Sequence, residues 1–198
     1  GIAGAMGNNT YGVAGVAWGA DLYAIRLIGG STTLSDVYDA FTEAVDHGAS
    51  VLNNSWGYSD GCPAIDNYRI FDQMLDYAET KGRGGLGSVV VFAAGNGGCD
   101  IADNKLLSHD TLIVTAAVES SEYRAWYSSY GDSVDIAAPT GLLTTDVLGG
   151  GYGSYGGDDA FADGFSGTSA ATPVISGVVA LMLSANPRLT AAQVREVL

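Results

Sequence analysis

The sequence predicts an α/β domain: a mostly parallel, doubly wound sheet flanked by helices. Three observations carry that expectation. Two runs of strand length, SVVVFAA at 88–94 and TLIVTAAV at 111–118, are apolar without alternation, as in strands buried on both faces. Stretches with helical apolar spacing alternate with such runs, the order that βαβ units produce. Residues 169–184 have helical composition and no charge, which suits a helix at the centre of the packing.

Taken in order, DLYAIRLI at 21–28 reads as a strand. Residues 34–47 follow as a helix, with Ser31, Thr32 or Thr33 available as its cap and His47-Gly48 as its end. VLNN at 51–54 is a short strand. Residues 65–81 make a second helix, because Ile70, Phe71, Met74, Leu75 and Ala78 fall on one face. The two apolar strands come next. GGGYGSYGG at 149–157 is a flexible loop. The uncharged helix over 169–184 precedes a last one beginning at 191–198. In such sheets ligand sites lie at the carboxyl ends of the strands.

Composition narrows the function. At 198 residues the chain has the size of one domain and can bury a core without staples. Its net charge of −14, with no Lys/Arg cluster, excludes a phosphate-binding surface and so a nucleic-acid partner. The longest uncharged stretch, 164–187, contains Ser, Thr, Asn, Gly and two prolines, which is not the composition of a membrane span. Of the 22 acids 17 are Asp, a residue suited to turns and hard-cation sites. The chain starts without Met and stops inside an amphipathic pattern, so a piece of a larger domain, truncated at both ends, is expected. Cys62 and Cys99 are too far apart for a Cys-x-x-Cys motif, leaving one disulfide or two thiols open.

Three segments could carry chemistry. GFSGTSAATP at 164–173 places a serine at the start of the uncharged helix, where small neighbours admit a substrate backbone and the helix N-terminus favours negative charge. A nucleophile elbow centred on Ser166 fails, since Thr168 stands where that pattern needs glycine. An N-cap on a core helix is the commoner use of such a serine. AAGNGG at 93–98, directly after the strongest strand, can aim the Asn96 amide into a crevice as an oxyanion donor; a turn asparagine is the commoner case. NNSWG at 53–57 could pair with an extended peptide, or be a loop with a packed Trp.

Together, in this order, the three segments resemble the subtilisin-like serine proteases, and the likeness covers essentially the whole chain. The resemblance implies a subtilisin-like fold, with residues 1–198 as the C-terminal two-thirds of one peptidase catalytic domain. It also implies a serine endopeptidase acting on peptides or proteins. Ser169 matches the nucleophile and Asn96 the oxyanion-hole amide. Ser55, Trp56 and Gly57 match the strand that binds substrate, with Ala93 and Gly95 across the specificity pocket. The opening 27 residues look like the stretch after the family's catalytic histidine, so His and Asp of the triad would lie upstream and this piece alone would be inactive. GRGGLGSVVVFAAGNGG at 82–98 is closest to the kexin/furin branch; that branch's pocket acid falls at Leu107, with Asp60, Asp100 and Asp103 nearby in sequence. A pseudoprotease keeping only the peptide groove is the alternative, and a serine esterase a weaker third.

MGNNTYGV at 6–13 reads as a structural calcium loop, with the Asn9 side-chain oxygen and the carbonyls of Met6, Tyr11 and Val13 as donors; the resemblance points to the same residues and adds an upstream Asp. It also places the loops of Cys62 and Cys99 on opposite walls of the specificity pocket, which implies that they form a disulfide. A disulfide in turn implies an oxidising compartment, and so a secreted or cell-envelope protein; the resemblance leaves room for a flanking propeptide or C-terminal domains. His47 fits a helix C-terminus and His109 a surface turn, so neither is assigned a catalytic part.

Overall fold

The computed structural model describes residues 1–57, 69–148 and 160–198. Strands β1 (Val51–Asn54), β2 (Val89–Ala93), β3 (Leu112–Val118) and β4 (Ile136–Pro139) lie side by side in that order, each pair parallel. Successive side chains on a strand point to opposite faces, and both faces of this sheet are covered. Val90 and Phe92 join a core with Phe41 of α1 (Leu34–Asp46) and with Phe71, Met74 and Leu75 of α2 (Arg69–Lys81). Val89 and Val91 point the other way. There they meet Ala171, Ile175 and Val179 of α3 (Thr168–Ala185) and Val194 of α4 (Ala191–Val197). Two apolar faces explain why the strand sequences do not alternate.

Helix α1 is capped by Thr33: its hydroxyl accepts from the Asp36 N–H at 3.2 Å, and the Asp36 carboxylate accepts from the Thr33 N–H at 2.7 Å. Those bonds, the backbone one foremost, hold the Asp36 carboxyl below its ordinary pKa. Contrary to the expectation from the polar residues and prolines of 164–187, helix α3 is long and apolar enough to cross a membrane; here half of it is buried and it packs across β1, β2, β3 and β4.

Two expectations change. Residues 21–28 form no strand: among the described residues no strand pairs with them, the Leu27 carbonyl accepts from the Thr32 hydroxyl instead, and Leu22, Tyr23 and Ile28 are exposed. An apolar run becomes a strand only where a neighbouring backbone accepts its hydrogen bonds. Conversely, β4 and the antiparallel pair β5 (Leu142–Thr145) and β6 (Phe161–Phe165) had no periodicity long enough to read. Pro139 is accommodated because β4 is a sheet edge among the described residues. The expected start of the second helix at 65–68, the whole loop at 149–157, and Cys62 and Asp60 lie outside the described residues.

Candidate active site

Parallel pairing of β1 with β2 brings their carboxyl ends together, so Ser55–Gly57 and the Gly95–Gly98 loop leave the sheet side by side. Helix α3 begins at the same edge. Ser169, half-buried in its first turn, donates its hydroxyl hydrogen to the Ser55 carbonyl at 3.0 Å. The preceding residue sets the frame. Thr168 is fully buried; its N–H and its hydroxyl both donate to Asn96 Oδ1, at 2.9 and 3.1 Å, while its Oγ1 accepts from the Gly95 N–H at 3.2 Å.

Two donors converging on one oxygen settle which way the Asn96 amide faces. Its Oδ1 is turned to Thr168, so its NH₂ group is the end left for a ligand, and Asn96 itself is exposed. Among the described residues the Ser169 N–H meets no acceptor, and it sits at the positive end of α3. The edge therefore presents a serine hydroxyl with two N–H donors beside it. Gly167, the N-cap, has φ 92°, and a Cβ there would stand 3.3 Å from Asn96 Nδ2. Its absence lets the turn close on the asparagine.

The expected peptide-binding strand is tied to the core at both ends. Trp56 donates its indole N–H to Asn54 Oδ1 at 3.1 Å and sets its ring edge-on against Phe92, centroids 5.0 Å apart. Sequence reasoning missed a second tie. Ser176 of α3 donates to Asn53 Oδ1 at 2.8 Å, and Asn53 Nδ2 donates to Ser55 Oγ at 3.0 Å. The signal was present, since Ser176 lies two helical turns after Ser169 on the same face of α3.

The remaining expected residues separate from this cluster. At 6–13, Asn9 Oδ1 accepts from the Tyr11 N–H at 3.1 Å, and Asn8, Thr10 and Gly12 adopt φ of 56°, 59° and 66°. The donors available there are uncharged hard oxygens, the chemistry calcium takes. Among the described residues no group of three or more His, Cys, Asp or Glu side chains is arranged to hold a metal. Cys99 is disulfide-bonded. Leu107 is buried in the core beneath α1 and α2, and the Asp100 carboxylate accepts from the Ala102 N–H at 2.9 Å as a turn residue. Asp103 is exposed. The two histidines are engaged elsewhere: His47 Nδ1 lies 2.9 Å from the Glu43 carbonyl with its ring stacked on Tyr23, and His109 Nδ1 lies 2.9 Å from Thr111 Oγ1.

Comparison with known proteins follows the same lines. A family model described as the Subtilase family matches residues 1–198. A calcium-dependent protease of Nostoc sp. is 36% identical over 98% of the chain, which spans 33% of that protein. Human proprotein convertase subtilisin/kexin type 6 is 33% identical, again over 98% of the chain but only 20% of its own length. A solved protease of Pseudoalteromonas arctica superposes with a TM-score of 0.81 at 28% identity, covering all of this chain and 60% of that one.

Proposed function

Because the chain belongs to the subtilase family of subtilisin-like serine proteases, we propose that it is the C-terminal two-thirds of a serine endopeptidase catalytic domain. The observation that carries this reading is the Asn96 amide, oriented by Thr168 on the edge from which Ser169 projects. In the reaction, the Ser169 hydroxyl leaves the Ser55 carbonyl and gives its proton to a histidine base. That base is neither His47 nor His109, so it is supplied by the full-length protein. Oγ attacks the scissile carbonyl carbon, and the charge gathering on the carbonyl oxygen is met by Asn96 Nδ2–H and the Ser169 N–H. The amine leaves with the proton, and water releases the acyl group and restores Ser169. The extended substrate pairs along Ser55, Trp56 and Gly57, with Ala93 and Gly95 facing its side chain across the pocket.

Calcium belongs to the same proposal. Met6, Asn9, Tyr11 and Val13 would hold it, and its contribution is to stiffen the amino-terminal loop rather than to take part in hydrolysis. So does pairing of Cys99 with Cys62, which closes a loop worth roughly 3–4 kcal/mol and requires an oxidising, extracytoplasmic location. Titration of two free thiols in the native protein would remove the pairing.

The test is labelling of the full-length protein with a fluorophosphonate. A mass increase confined to the Ser169 peptide, and hydrolysis of a peptide substrate abolished by Ser169→Ala, are expected. Residues 1–198 alone are expected to hydrolyse nothing, since an unassisted hydroxyl is a weak nucleophile. A folded full-length protein that ignores the reagent while still binding peptides is a pseudoprotease. One that cleaves esters but no peptide is an esterase.

A further inference from the structure

The two oxyanion donors stand on separate elements, Asn96 on the loop after β2 and the Ser169 N–H on α3. Thr168 links them directly, through Asn96 Oδ1 and the Gly95 N–H. A residue outside both elements braces that link. Tyr127, half-buried in the segment between β3 and β4, accepts from the Gly98 N–H with its backbone carbonyl at 2.7 Å. Its hydroxyl reaches the other element and accepts from the Gly167 N–H at 3.1 Å. Two residues further on, the Ser129 N–H donates to the Gly95 carbonyl at 3.0 Å, so the Asn96 loop is braced on both sides.

The protons around the Tyr127 hydroxyl are determined by their partners. Thr140 Oγ1 lies 3.0 Å from the Tyr127 oxygen and 3.2 Å from the Gly167 carbonyl oxygen. A carbonyl only accepts, so the threonine donates to Gly167 and the tyrosine donates to the threonine. The result is a closed ring: Gly167 N–H to Tyr127, Tyr127 O–H to Thr140, Thr140 O–H to Gly167 C=O. It grips the peptide groups on both sides of the residue that is the N-cap of α3, two positions before Ser169. Gly167 has φ 92°, where nothing in its own side chain restrains it. That same carbonyl also accepts from the Ala170 N–H at 3.0 Å, so tilting it tilts the first turn that carries Ser169.

We infer that Tyr127, with Thr140, is a positioning residue of the hydrolytic site. It fixes the turn bearing Ser169 against the loop bearing Asn96 through the hydroxyl ring around Gly167. This rests on the proposed function above. Neither hydroxyl touches the substrate in this scheme, so the effect falls on the attack step rather than on peptide binding. Displacement of a reacting group by about 1 Å is enough to lower a rate on the order of 10²-fold.

The experiment compares full-length parent, Tyr127→Phe, Thr140→Val, Thr140→Ser and Ser169→Ala by steady-state peptide hydrolysis and by the rate of fluorophosphonate capture. Tyr127→Phe and Thr140→Val are each expected to lower kcat and the capture rate by roughly tenfold or more. KM should stay within about twofold. Thr140→Ser, which returns the hydroxyl, is expected to recover most of what Thr140→Val loses. A parent whose hydrolysis survives Ser169→Ala overturns the proposed function, and this inference with it. A Ser169-dependent parent in which both hydroxyl deletions leave kcat and capture unchanged overturns the inference alone. So does a loss that appears only in KM, or one that Thr140→Ser does not reverse.

Discussion

Replacing Asn96 in two ways separates its structural work from its chemical work. Its oxygen holds the N–H and the hydroxyl of Thr168, which is fully buried, and its NH₂ is the end left for a ligand. Asn96→Ala removes both functions. The Thr168 hydroxyl can rotate to another acceptor, but its N–H is fixed by the helix and is left unsatisfied at a cost of about 1–3 kcal/mol. For a domain of this size that is a fall in Tm of roughly 2–12 °C. Asn96→Asp keeps an oxygen acceptor in the same place and so keeps the clamp on Thr168. It loses the donor, however, and sets a negative charge where the oxyanion must form. Loss of one such donor lowers kcat by about 10²–10³-fold, and the added charge makes that a lower bound. Both variants should therefore be catalytically crippled with KM little changed, while only the alanine loses stability. Thermal melts and steady-state kinetics on the full-length protein read the two effects independently. An Asn96→Asp enzyme within tenfold of the parent kcat would refute the oxyanion assignment, and an Asn96→Ala protein that melts with the parent would refute the clamp.

Other expectations reach the site through the core and the amino-terminal loop. Phe92 is 1% exposed and carries Trp56 on its edge, so Phe92→Ala should destabilise by about 3–5 kcal/mol and also raise KM; an unchanged KM in the folded variant would detach Trp56 from binding. At Gly177 of α3 a Cβ would come 2.6 Å from Val16 Cβ, so Gly177→Ala should lower stability by about 1–3 kcal/mol, checked by denaturant titration; a neutral result would show that residues 1–17 do not press on α3 in solution. Chelation with EGTA should lower the Tm of the full-length protein, and Asn9→Ala should abolish most of that difference; a Tm indifferent to EGTA removes the calcium assignment.

What the sequence made legible depends on how local the cause is. Helix α1 was readable to within a residue because Thr33, Asp36 and the buried positions Val37, Phe41 and Val45 all sit inside it. The strands β2 and β3 were readable because both their faces are buried, which leaves an uninterrupted apolar run. Residues 21–28 also read as a strand but form none: Asp21 and Arg26 interrupt their apolar run, the segment is largely exposed, and composition does not specify the neighbour that would accept its hydrogen bonds. Short β4, β5 and β6 failed for the opposite reason. At four or five residues each, with Gly164 and Pro139 among them, they are held in place by partners distant in sequence rather than by any pattern of their own.

The site divides along the same line. Ser169, Asn96 and Ser55 were singled out as candidates from short segments, because a serine at a helix start and an amide after a buried strand each announce a local geometry. Their orientation was not, because each is fixed from far away: Thr168 meets Asn96 across 72 positions, Ser169 meets Ser55 across 114, and Ser176 meets Asn53 across 123. Such contacts exist only once β1 and β2 have paired in register and α3 has been laid across them. The proposed attack and charge stabilisation would therefore depend on the sheet register itself. A slip of one residue between β1 and β2 would turn the side chains at the strand end to the opposite face, and with them the Ser55 segment to which Ser169 is hydrogen-bonded. The two-sided core that makes the strands so apolar is what opposes that slip, since Phe92 and Val91 fit only their own faces.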